Sequence, residues 1–138
     1  PLSVAPCLEA ATLMPECRQH VEKVRSNLAF VSFVLRANAG FSDWIITGYF
    51  YAAVHLVEAY FDLSAGKHHR RHLSRREAIN ADSRIRHLFA AYRSLETYSE
   101  VARYGVKHFD LSYLESRVVA KFEKIRGELG RLDPSLSV

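Results

Sequence analysis

The stretch VARYGVKHFD, residues 101–110, places Arg103 five residues before His108 with Gly105 between them. An imidazole can move a proton near neutral pH, and a guanidinium can hold two phosphate oxygens at once. Together they supply two needs of metal-free RNA cleavage: a base for the 2′-OH and positive charge facing the transition state. On an unbroken helix, residues five apart are rotated by about 140° and do not converge. Gly105 predicts a helix end that turns the chain and lets both side chains face one space, with Asp110 near enough to orient the imidazole. One imidazole does not easily act as both base and acid, so the chemistry asks for two chains about a two-fold axis. A simpler reading of the same residues also stands. Arg103 compensates the negative end of its own helix, and His108 belongs to the surface of the next connection.

A second feature is basic. Lys67, Arg70, Arg71, Arg75 and Arg76 fall within ten residues that contain no acid. Setting these five aside from the 19 basic residues leaves 14 against 15 acidic ones, so the basicity is local. Such a segment favours a phosphate-bearing partner, RNA being the simplest, with Lys67, Arg70, Arg71 and Arg75 as contacts and Tyr104 as a stacking face. It also fits a solvated loop between helices. His69 and His72 have a helical metal-binding spacing but lie among positive charges. His55 and Glu58 resemble half of a carboxylate-bridged bundle site, yet no Glu-x-x-His counterpart occurs on another helix, so a polar core contact is the expectation. No metal or other cofactor is expected. Phosphate-cradling glycine loops and nucleophile elbows are absent from the sequence.

Helices must position these residues. From Glu16 to Asn38, Val21, Val24, Leu28, Val31 and Leu35 form one amphipathic stripe, stopped at Asn38-Ala39-Gly40. Ser42 is expected to cap a second helix running to about Leu63, apolar on nearly every side and therefore central. One seam of it, Trp44, Gly48, Tyr51, His55, Glu58 and Asp62, carries polar tips and should meet polar groups from another helix. Ser74 to Glu77 matches a capping box opening a short helix to about Asn80. Asp82 or Ser83 should cap the next, with Ile85, Leu88, Tyr92, Leu95, Ser99 and Ala102 facing inward. A last helix spans 111–129, with Leu111, Leu114, Val118, Phe122, Ile125 and Leu129 inward and Ser112 to Glu115 as a second capping box. The expected fold is an all-α, antiparallel four-to-five-helix up-and-down bundle in one domain, with residues 1–15 irregular. If the long helices alternate, the basic segment and Gly105 lie at opposite ends, about 30 Å apart.

The segments DWIITGYFYAAVHLVEAYF, HLSR and YRSLETYSEVARY resemble the HEPN family (higher eukaryotes and prokaryotes nucleotide-binding domain) over residues 42–109. The Tyr51-Ala52-Ala53-Val54-His55 helix and the Ala102-Arg103-Tyr104 helix end carry the likeness. The resemblance implies a small helical bundle, often dimeric. In members with an arginine followed four to six residues later by a histidine, it implies metal-independent RNA cleavage at a dimer cleft. By that resemblance Arg103 and His108 are the catalytic pair. Tyr104 stands where nuclease members commonly carry a polar residue. The alternative is a non-catalytic module binding nucleic acid, a nucleotide or a cognate protein.

At 138 residues, 49% hydrophobic and 25% charged, the chain has the composition of one globular domain. Cys7 and Cys17 form neither a disulfide framework nor a CxxC pair, which suits reduced thiols in the cytoplasm. No basic-then-apolar leader is evident. The uncharged run from Trp44 to Val57 is too short to cross a bilayer, so no membrane partner is expected.

Overall fold

The computed structural model describes residues 15–37 and 40–138, which form five helices and no strand. The irregular leader expected before Pro15, Cys7, and the Asn38-Ala39 part of the first helix stop lie outside the described residues. Helix α1 spans Pro15–Ala37, α2 Ser42–Ala65, α3 His72–Ala81 and α4 Phe89–Tyr104. Helix α5 begins at Leu111–Tyr113, passes through a π turn at Leu114–Val119 and continues over Ala120–Leu132. No helix among the described residues is long and apolar enough to cross a membrane.

Consecutive long helices run antiparallel. His20 near the start of α1 meets His55 late in α2, while Val31 meets Gly48 earlier in α2. A Cβ on Gly48 would sit 2.5 Å from a Val31 methyl, so that glycine sets how closely α1 and α2 approach. Ser42 at the start of α2 lies beside Phe109, beyond the end of α4. Tyr98 packs on Tyr113 and His87 pairs with Glu128, which fixes α5 antiparallel to α4. Helix α2 packs on α1, α4 and α5 and is central, as its all-round apolarity requires. Its buried Ile46, Phe50, Ala53, Leu56 and Val57 join Val24, Tyr92, Leu95, Phe122 and Ile125 in one core. It ends on Gly66, left-handed at φ 61°, whose N–H and that of Lys67 close back onto Asp62 and Phe61 carbonyls.

Several local expectations change. Leu35 is exposed and Val34 takes the buried place, because a 3.6-residue period drifts off a fixed stripe over six turns. Helix α3 starts at His72, two residues before the supposed capping box. Ser74 Oγ donates back to the Arg71 carbonyl, and no side chain caps the helix. The carboxylate of Asp82 accepts from the Arg84 backbone, and a 3₁₀ turn at Arg86–Leu88 precedes α4. Asp110, rather than Ser112, caps α5 by accepting from the Tyr113 N–H at 2.7 Å. The π turn shifts the face of α5, leaving Leu111 exposed while Leu114, Val118 and Phe122 stay buried.

Candidate functional site

Arg103 occupies the last turn of α4. Its Nε donates to the Ser99 carbonyl at 3.2 Å and one terminal nitrogen reaches the Tyr51 hydroxyl at 3.4 Å. The guanidinium also lies over the rings of Tyr51 and Tyr104, and Tyr104 itself is exposed. Gly105 follows in extended conformation at φ −91°, open to any residue. What glycine provides is space, since a Cβ would stand 2.6 Å from the Val101 carbonyl oxygen. The chain then runs back to Ser42, whose Oγ accepts from the Phe109 N–H. Exposed His108 lines a hollow of about 310 Å³ with Val34, Phe41, Ser42 and Leu114. Arg103 lines another, with Asp43, Trp44 and Thr47. Within one chain, then, arginine and imidazole open onto different hollows. Asp110 spends Oδ1 on capping α5 and makes no hydrogen bond to His108, the orienting role expected of it.

Between these hollows lies an apolar groove lined by Phe30, Phe33, Val34, Ala37, Phe41 and Trp44. It shares Val34 and Phe41 with the His108 hollow and Trp44 with the Arg103 hollow. Phe33 is 64% exposed and Trp44 55%. Large aromatic surface in water is costly, so a groove of this kind is the ordinary mark of an interface.

The basic segment divides. Lys67, Arg70 and Arg71 are exposed and available to an anion. Arg75 is only 5% exposed: its Nε donates to Glu58 Oε1 at 2.6 Å and another nitrogen to the His69 carbonyl. This corrects its assignment to phosphate, because leaving Glu58 would strand a carboxylate that is 3% exposed. Arg76 and Arg93 are similarly engaged by buried Glu96. Lys67 does follow the end of α2 opposite the Ser42 end that lies beside Phe109, but the later part of the basic segment comes back toward Arg103. His72 opens α3 and stacks near Phe50, which touches Tyr51 beneath Arg103. Burial first, then Arg75, hold the His72 imidazole below its ordinary range, and Arg103 adds to the effect. Helix α3 therefore folds back along the bundle instead of extending its end.

The polar seam of α2 finds its partners, and they include residues that sequence reasoning did not single out. His55 Nδ1 is 3.0 Å from His20 Nδ1 of α1. His20 Nε2 is 3.2 Å from His68 Nδ1, and His68 Nε2 is 3.1 Å from Asp62 Oδ1. Glu58 Oε2 accepts the His69 N–H and lies 3.8 Å from His68 Nδ1. One ligating atom each from His20, Glu58 and His68 falls within 4.8 Å of the others. Burial lowers the basicity of His20 and pushes His55 down to about 4, so both stand neutral at pH 7. The helical spacing of His69 and His72 does not bring them to a common ligand: His69 faces Glu58, and His72 faces Arg75 and Glu96. No family model, curated protein or solved structure matches this chain. The site is therefore read from its own geometry.

The missed partner was His20. In sequence it stands 35 residues from His55, with nothing local to connect them. The one available signal was that Glu16 and His20, four apart, share a face of α1 with a polar seam waiting on α2.

Proposed function

We propose that this chain is an RNA-binding domain of the HEPN type that acts as a homodimer and cleaves RNA without a metal at the dimer cleft. The observation that supports it most is the exposed aromatic groove flanked by the His108 hollow on one side and the Arg103 hollow on the other. A second copy covering Phe30, Phe33 and Trp44 about a two-fold axis brings both hollows of each chain to one seam. That arrangement supplies what one chain lacks. His108 takes the proton of the 2′-OH, which attacks the adjacent phosphorus, while the partner's His108 protonates the departing 5′ oxygen. The products are a 2′,3′-cyclic phosphate and a free 5′-OH. Arg103 neutralises charge growing on the phosphate oxygens, and Tyr104 offers a face to a base. Exposed Lys67, Arg70 and Arg71 hold the strand further along.

The test uses a labelled RNA in chelator with wild type, Arg103→Ala, His108→Ala and Trp44→Asp. Cleavage by wild type, lost in all three variants, together with a monomeric Trp44→Asp protein, is the expected result. Equal cleavage by His108→Ala, or wild-type cleavage by a monomer, overturns the mechanism. A second reading, a binding module without catalysis, draws on the separation of the two hollows within one chain. It predicts RNA binding that all chains share except those altered at Arg70 and Arg71, and no cleavage by any.

A further inference from the structure

The polar cluster at the junction of α1, α2 and the 67–71 connection shares no lining residue with either hollow of the proposed cleavage site. We propose that it is a binding site for a divalent transition-metal ion, zinc in the first instance, held by His20 Nε2, His68 Nδ1 and Glu58 Oε2.

The distances suit such an ion. Zinc bonds imidazole nitrogen at about 2.0–2.1 Å, and tetrahedral angles then set two ligand nitrogens about 3.3 Å apart. His20 Nε2 and His68 Nδ1 stand 3.2 Å apart. The carboxylate oxygen lies 3.8 Å from the second nitrogen and has only about half an ångström to close. Two imidazoles and one carboxylate are a donor set that zinc and its first-row neighbours accept. Three protein ligands leave a fourth position for water, facing the hollow these residues line.

The surroundings fit as well as the ligands. A metal-bound histidine ordinarily gives its other ring nitrogen to a carboxylate or another acceptor, which fixes tautomer and ring orientation. His68 presents Nε2 to Asp62 Oδ1 at 3.1 Å, and His20 presents Nδ1 to His55 Nδ1 at 3.0 Å. The tautomer with protons on His68 Nε2, His20 Nδ1 and His55 Nε2 leaves the two ligating nitrogens with bare lone pairs. Glu58 is held in place, Oε1 by Arg75 and Oε2 by the His69 N–H, and Oε2 keeps a second lone pair for a ligand. The other oxygen of Asp62 and the Nδ1 of His69 are both buried with no hydrogen-bond partner. His69 lines the hollow and Asp62 holds His68 beside it, so both orphaned atoms adjoin the ligand cluster and call for an explanation. Charge does not forbid a cation: Glu16, Glu58 and Asp62 balance Lys23, Arg70 and Arg75 there.

The test is a zinc titration of chelator-treated full chain, read by competition with a chromophoric chelator and by thermal unfolding. Co2+ substitution provides visible absorption bands as a direct report of coordination. Wild type should bind one equivalent and unfold at a higher temperature with zinc. His68→Ala, in an exposed connection, and His20→Gln should each weaken binding at least about 100-fold, and Asp62→Asn about 10-fold, as second-sphere changes do. His87→Ala, altering a surface histidine paired with Glu128, should bind as wild type does. Circular dichroism of the metal-free variants establishes that each is folded. No zinc uptake by wild type overturns the proposal. So does uptake unchanged in folded His68→Ala. RNA cleavage does not enter the readout, so this proposal and the cleavage proposal fail independently.

Discussion

Replacing Arg75 with methionine tests whether the basic segment was built for solvent or for the core. The substitution keeps the length of the stem and removes the charge. In the native chain Glu58 has two firm partners, the Arg75 Nε at 2.6 Å and the His69 N–H at 2.9 Å. Both charged side chains are almost fully buried. Breaking a buried pair from one side costs about 3–5 kcal/mol, because the remaining charge is stranded away from water. For 138 residues the unfolding entropy is about 0.3 kcal/mol/K, so that loss lowers the melting temperature by roughly 10–17 °C. Glu58→Gln in the same background removes the stranded charge and should recover about 1–3 kcal/mol relative to Arg75→Met alone. The assay is urea unfolding followed by circular dichroism in chelator, with RNA affinity measured on the same proteins where they are folded. A wild-type midpoint for Arg75→Met, or two single costs that simply add in the double variant, refutes the reasoning. A fall in RNA affinity without any loss of stability refutes it too.

Other outcomes follow from the same contacts. Changing Arg70 and Arg71 together to alanine should leave stability unaltered and flatten the salt dependence of single-stranded RNA binding by about 1.4 in the log–log slope, two phosphates' worth; fluorescence anisotropy over a salt series reads this. Gly105→Ala puts a methyl against the Val101 carbonyl and should cost about 1–3 kcal/mol in urea unfolding, although its backbone angles suit alanine. His72 is held below its unfolded value of 6.5, so the unfolded chain binds the proton first as pH falls. Its contribution is intact above that value and is lost as pH drops through it; His72→Gln should therefore flatten the decline of the urea midpoint between pH 7 and 5. The Cys17 thiol is fully buried and pushed up to about 11, by burial first and then by Asp62 and Asp133. In a Cys7→Ser chain it should resist alkylation at pH 8 until urea is added.

The fold was legible because helical periodicity is a local signal. The stripe Ile85, Leu88, Tyr92, Leu95, Ser99 and Ala102 is buried throughout, and α2 proves central because it is apolar on nearly every side. Boundaries were less legible. Capping boxes at Ser74 and Ser112 matched in spelling, but neighbours competed for the same backbone groups. Asp110 reached the Tyr113 N–H first, and Arg71 took the N-cap position of α3 in extended conformation with no side-chain bond. A motif names residues able to cap; it does not say which one the incoming chain direction will favour.

For the sites the difference is one of distance along the chain. The polar seam of α2 announced that partners must exist, since a buried Glu58 or Asp62 without one is too costly. It could not say which partners, because His20, His68 and Arg75 reach it from three separate segments. Judging charges by their neighbours in sequence then missed which way each one turns. The density of arginines at 70–76 suggested a place hostile to cations and open to phosphate, yet folding turns Arg75 inward and assembles three carboxylates beside the histidines. The same segment thus divides: its outward cations stay exposed, while its inward one holds a carboxylate in place. Sequence gives the inventory of charges, and only the path of α3 back along the bundle decides which of them water can still reach.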